Sequence, residues 1–161
     1  MRDHGALSIE LGRLEEGFAA YRAALATLTE LAAAHPRLDL GSQRLTTLID
    51  LGRRLTQSGR LGEGTPLLDE AVTVGEEMAR TWPGRADLQT QLASALHNLS
   101  ESLLTRGRAA EAAQLAARAL TVVEGASEDR RPQRRRTLSF SLYALGIARS
   151  ALGQPEEALT A

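Results

Sequence analysis

The stretch that decides the fold is LLTRGRAAEAA, residues 103 to 113. The leucines at its start and the alanines at its end both favour helix, yet Gly107 stands between Arg106 and Arg108 in the middle of the pattern. A glycine there either weakens one long helix or ends one and opens the next, because glycine takes the left-handed, helix-terminating conformation without steric cost. Its recurrence decides between the two. GRAAEA at 107–112 returns as GRLEEG at 12–17, GRLGEG at 59–64 and GQPEEA at 153–158, so the glycines follow one another at 47, 48 and 46 residues. Self-similarity at such a period marks an array of supersecondary units.

The flanks repeat with the glycine. Seven residues before it stand Gly5, Gly52, Ser100 and Gly146, and five after it Gly17, Gly64, Ala112 and Ala158, all small. Twelve after it come Ala24, Ala71 and Ala119, each followed by a large apolar residue. Eight and eleven before it lie Leu51, Leu99, Leu145 and Leu48, Leu96, Leu142, a step of three that keeps them on one helix face. These spacings predict two antiparallel helices per unit, with the glycine in the turn and small residues where the backbones cross. The expected helices cover about 2–11 with 13–34, 40–58 with 62–81, 86–106 with 108–124, and 133–152 with a short stretch at 155–161. His35-Pro36, Pro83-Gly84 and GASEDRRP at 125–132 separate the units. Thr65-Pro66 reads as the first turn of a second helix, where proline is tolerated. The expected fold class is all-α: a single α-solenoid of hairpins over 1–161, with repeats at about 1–38, 39–85, 86–132 and 133–161, the terminal ones incomplete.

Composition agrees and narrows the function. Aromatic residues make up only 3% of the chain, which suits close helix packing better than a sheet. Absence of cysteine removes disulfides, thiolate metal sites and cysteine nucleophiles. A net charge of -1 gives no global attraction to nucleic acid. No segment reads as a membrane span or a leader, so the expected location is the cytoplasm. All 19 basic residues are arginine, a codon-bias signature of a GC-rich genome.

Leu51-Gly52, Gly59, Gly64 and Ala71, in that spacing, resemble the tetratricopeptide repeat, and the resemblance extends over essentially the whole chain. The unit is longer than the usual 34 residues and resembles the extended repeats of bacterial multidomain regulatory proteins and, more distantly, of kinesin light chain. His4 and Arg149 depart from the bulky residues usual at their positions. The resemblance implies a right-handed superhelix whose first helices line a concave, ligand-facing groove. It places Ile49, Arg53, Thr56 and Gln57 there from repeat two, Ser94, His97, Glu101 and Thr105 from repeat three, and Phe140, Tyr143, Ile147 and Ser150 from repeat four. The next inward position holds Asp50, Asn98 and Ala144. The groove should therefore be polar in its middle and apolar at its carboxy end. Only Arg53 and Asn98 come near the family's clamp for a carboxy-terminal carboxylate, which argues against chaperone-tail binding.

Other motifs read as structure. RRPQRRR at 130–136 offers Arg130, Arg131, Arg134, Arg135 and Arg136 to phosphates or an acidic partner, but without interleaved aromatics it reads first as a solvated loop and helix start. His97 and Glu101 share a helix face, yet two ligands do not make a metal site. GRLGEG lacks the strand and the Lys-Ser/Thr of a phosphate loop. Glu15, Glu16, Glu63, Glu111, Glu156 and Glu157 fall in first turns, where they complement the helix dipole. No nucleophile, base and orienting group assemble, and no cofactor or metal is expected. The expectation is a non-catalytic scaffold that binds a peptide or helix of a partner in the groove. The alternative is a self-assembling or regulatory module that packs through its terminal helices, with nucleic acid a distant third.

Overall fold

A computed structural model of the chain describes residues 2–10, 12–35, 40–126 and 132–153, except for the side chains of Arg2 and His4. The described residues form helices α1 (Arg2–Glu10), α2 (Leu14–Ala34), α3 (Gly41–Gln57), α4 (Leu61–Thr81), α5 (Ala86–Thr105), α6 (Ala109–Gly125) and α7 (Pro132–Ala151), with no strand among them. Arg130, Arg131, Ala158, Glu156, Glu157 and the stretch 155–161 lie outside the described residues.

The turn glycines explain where the helices break. Gly12, Gly59, Gly107 and Gly153 have φ of +79°, +83°, +74° and +73°, the left-handed region that a side chain strains. At the first three, the glycine and the arginine after it donate backward to close the helix: Gly59 N to Thr56 O at 3.0 Å and Arg60 N to Leu55 O at 2.9 Å, for example. That is the paired C-terminal motif that satisfies carbonyls left open by the end of a helix. The arginine then precedes the next helix and forks onto the glutamate three residues on. Arg60 Nε donates to Glu63 Oε1 at 2.7 Å and Arg108 Nε to Glu111 Oε1 at 2.6 Å. Gly-Arg-x-x-Glu is thus the physical unit of the turn, with the acidic residue where the amino-terminal dipole favours it.

The small residues set how closely each hairpin closes. A Cβ built on Gly64 would meet the Gly52 carbonyl at 2.7 Å, and one on Gly17 the Gly5 carbonyl at 2.8 Å, so side chains there would force the backbones apart. The third hairpin solves the same problem differently: Ser100 Oγ, fully buried, donates to the Ala112 carbonyl at 2.7 Å.

Hairpins α1/α2, α3/α4 and α5/α6 pack in sequence, with α7 against α6 and α5. Helix α5 adjoins both α3 and α7, and these three form an inner layer, while α2, α4 and α6 lie outside. The expected leucines fill the space between. Leu48, Leu51 and Leu96 are at most 1% exposed, whereas Leu142 is only half-buried. Fully burying each such side chain contributes about 1.5–3 kcal/mol. A second apolar cluster of Phe18, Tyr21, Leu51 and Leu55 joins the first hairpin to the second.

One expectation is corrected. Pro66 lies inside α4, in its second turn, because Arg60 closes the preceding turn and the helix starts at Leu61. Proline has no N–H to donate to the carbonyl four residues back. That carbonyl belongs to Gly62, an exposed residue.

Candidate partner-binding groove

The inner layer is open. Helices α3, α5 and the start of α7 enclose a groove of about 850 Å³. From α3 it is lined by Thr46, Ile49, Asp50, Arg53 and Gln57, and from α5 by Gln91, Ser94, His97, Asn98 and Glu101. Pro132, Gln133, Arg136, Thr137 and Phe140 of α7 complete it. These side chains converge because the repeat brings the same face of each first helix to the same side, at steps of three and four residues.

Of the residues inferred from the sequence, Ile49, Arg53, Gln57, His97, Asn98, Glu101 and Phe140 lie along the groove, and Tyr143 and Ile147 do not. Tyr143 and Ile147 point from a face of α7 that is open to solvent, 64% and 37% exposed. They occupy the positions of His97 and Glu101 in the repeat, but a residue there lines a groove only when a following inner helix supplies the opposite wall. Thr56, Thr105 and Ser150 are also absent from the lining. The carboxy end of the groove is accordingly mixed, Phe140 beside Arg136, where an apolar end was expected. Thr46, Gln91, Pro132, Gln133 and Thr137 are lining residues that the sequence reading did not include; the first two turns of α3, α5 and α7 reach the groove, and single-helix periodicity carries no signal for that reach.

The basic run is divided by the helix that it begins. Arg136 enters the groove, Arg134 turns back to donate from Nε to the Val123 carbonyl at 3.1 Å, and Arg135 is exposed.

Two lining rings form a pair. Phe140 stacks on His97 with centroids 5.5 Å apart and planes 10° from parallel. His97 is 5% exposed, while Phe140 keeps 48% of its surface open. Burial pushes the His97 pKa down to about 4, so the ring is neutral near pH 7. Its Nε2 is 3.6 Å from Glu101 Oε2, and its Nδ1 is buried without a hydrogen-bond partner. Burial also raises the Glu101 pKa, against the pull of Arg53. Arg53 in turn lies 3.8 Å from Asp50 and donates to Gln57 at 3.3 Å. Asn98 spends its amide N–H on the Ser94 carbonyl at 2.7 Å. No group of three or more potential metal ligands occurs among the described residues. No helix among them is long and apolar enough to cross a membrane.

Comparison with known proteins adds a local match. Residues 92–129, which include most of α5 and all of α6, match the family model described as tetratricopeptide repeat. Two crystal structures of nearly identical TPR-like repeats from a Podosopora anserina putative kinesin light chain align over 99% of this chain and 88% of their own. Their identities are 18% and 17% and their TM-scores 0.40 and 0.39. A structure described as MamA MSR-1 C2 aligns over the same shares at 19% identity and a TM-score of 0.33. Among curated proteins nothing matches.

Proposed function

We propose that this chain, a helical array that carries a tetratricopeptide repeat at residues 92–129, is a non-catalytic scaffold that binds a segment of a partner protein in its inner groove. Such repeats generally mediate protein–protein interactions. The observation that carries the reading is the groove itself: about 850 Å³, open, walled by three inner helices and lined by an aromatic ring with one face on His97 and about half its surface free. Exposed aromatics on a rigid wall are favoured anchors, since they bury much area at little entropic cost.

The test is affinity capture from the source lysate with wild type, Phe140→Glu and Tyr143→Glu, each shown to be folded by circular dichroism. A partner retained by wild type and Tyr143→Glu but lost by Phe140→Glu supports the groove. Equal retention by all three removes it.

A second reading has one observation in its favour. Tyr143 and Ile147 form an exposed apolar face on α7, which suits packing against another copy or another part of a larger protein. Light scattering separates the readings. A dimer that becomes monomeric with Tyr143→Glu, without any foreign partner, would make α7 an assembly surface.

A further inference from the structure

The charges along the groove say what would fit it, and this inference rests on the groove reading above. Two carboxyl and two guanidinium side chains line it: Asp50, Glu101, Arg53 and Arg136. Arg53 lies 3.8 Å from Asp50 and also acts on Glu101, so one guanidinium serves two carboxylates. The other neighbour of Glu101 is His97, whose Nε2 at 3.6 Å is beyond hydrogen-bond reach. The His97 side chain is 7% exposed, and its burial keeps it uncharged near pH 7, so it neutralises nothing. Asp50, Arg53 and Glu101 therefore leave this part of the wall with one carboxyl group more than guanidinium groups. Arg136, at the other end, has no carboxylate partner among the described residues.

Geometry orders these charges. The repeat makes α5 and α7 run the same way, and the ring stack sets His97 level with Phe140. Arg136 lies four residues before that level and Glu101 four after it, which at 1.5 Å per residue separates them by about 12 Å along the helix direction. An extended chain spans that distance in about four residues. A helix would need about eight residues for the same span, so the spacing of the two charges in a bound segment tells the two forms apart.

We propose that the groove selects an extended partner segment with a lysine or arginine at the Glu101 end and an aspartate or glutamate about four residues away at the Arg136 end. An apolar side chain between them lies on the open face of Phe140. The reverse charge order places like charges together and is rejected.

The probe is a random dodecapeptide library displayed against the immobilised full chain. Wild type is compared with Glu101→Arg, Arg136→Glu and Phe140→Glu, and with the milder Glu101→Gln and Arg136→Gln, all verified by thermal melts. Wild type should enrich peptides with one basic and one acidic residue about four positions apart. Glu101→Arg should lower the preference for the basic residue about tenfold, and Arg136→Glu should do the same to the acidic one, as loss of one charge pair implies. The Gln variants should weaken each preference without reversing it. If Phe140→Glu abolishes enrichment but the selected peptides show no charge order, or neither reversal changes it, the charge assignment is wrong and the groove reading survives. No enrichment on wild type, or enrichment that outlasts Phe140→Glu, overturns both.

Discussion

Two glycines two residues apart in α4 do opposite things. A Cβ on Gly64 would press on the backbone at Gly52 O, 2.7 Å away, and at Thr56 N, 2.9 Å away, neither of which yields without moving a helix. Gly64→Ala should therefore destabilise the chain by about 1–3 kcal/mol in spite of alanine's better helix propensity. Around Gly62 nothing lies within 4 Å, so Gly62→Ala should keep the propensity gain, up to about 1 kcal/mol. Urea unfolding of the two variants checks the pair; equal effects would refute the close crossing. Ala112 holds the matching place in the third hairpin, is fully buried, and accepts from Ser100, so Ala112→Leu should cost about 1–3 kcal/mol by overpacking. His97 gives a pH-dependent case. Its pKa falls from about 6.5 unfolded to about 4 folded, so between those values the unfolded chain binds more protons and stability declines as pH falls. The loss is on the order of 3 kcal/mol at full development. Glu101, whose pKa is raised, works in the opposite sense above its usual 4.5 and offsets part of it. Thermal melts should show wild type losing more stability from pH 7 to 4.5 than His97→Leu; parallel losses would contradict the burial argument.

Between elements, the outer junctions differ. Arg60 donates to Glu15 of α2 at 2.6 Å and to Glu63 at 2.7 Å, and lies over the Phe18 ring at 5.1 Å, while Arg22 of α2 donates to Glu63 at 2.7 Å. These contacts raise the Arg60 pKa, chiefly through its bond to Glu63, and lower that of Glu63, chiefly through Arg60. At the next junction the repeat puts Gly62 where Glu15 stood and Asp69 where Arg22 stood, so neither bond can be copied there. Arg118 to Glu76 is the pair that spans α6 and α4. The first hairpin thus depends on exposed charges that salt screens, and it lies over the smaller apolar cluster. Arg60→Ala, or high salt on wild type, should speed amide exchange in α2 while leaving α5 unchanged. Uniform acceleration would mean that the array opens as one unit. Most of the element plan was legible from sequence, because Gly-Arg-x-x-Glu and the prolines mark helix ends through backbone conformation, which is local. The start of α4 was read within one residue, at about 62 against Leu61, but Pro66 was assigned to the first turn and lies in the second; Arg60 provides no side-chain cap to mark the start. The groove was only partly legible. Periodicity identifies the inner face of one helix, as it did for Ile49, Arg53 and His97, but the offset between successive helices is a property of their packing. That offset brings Arg136 in and leaves Tyr143 and Ile147 out.

For the molecule as a whole, the repeat turns a local rule into a surface. Each hairpin buries its leucines against the next, and the inner faces left over form one wall that carries Phe140, a half-exposed aromatic, and Arg136, which has no carboxylate partner among the described residues. A preformed wall of this kind should bind without large change in the helices, so partner addition should leave the helical circular dichroism of the chain essentially unaltered. The most direct test places a photoreactive phenylalanine analogue at position 140 or at position 143 and irradiates each variant in the source lysate. Recognition in the groove predicts a covalent adduct with one foreign protein from position 140 and none from position 143. Adducts from position 143 alone, whether with a second copy or with a foreign protein, would contradict the groove as the working surface.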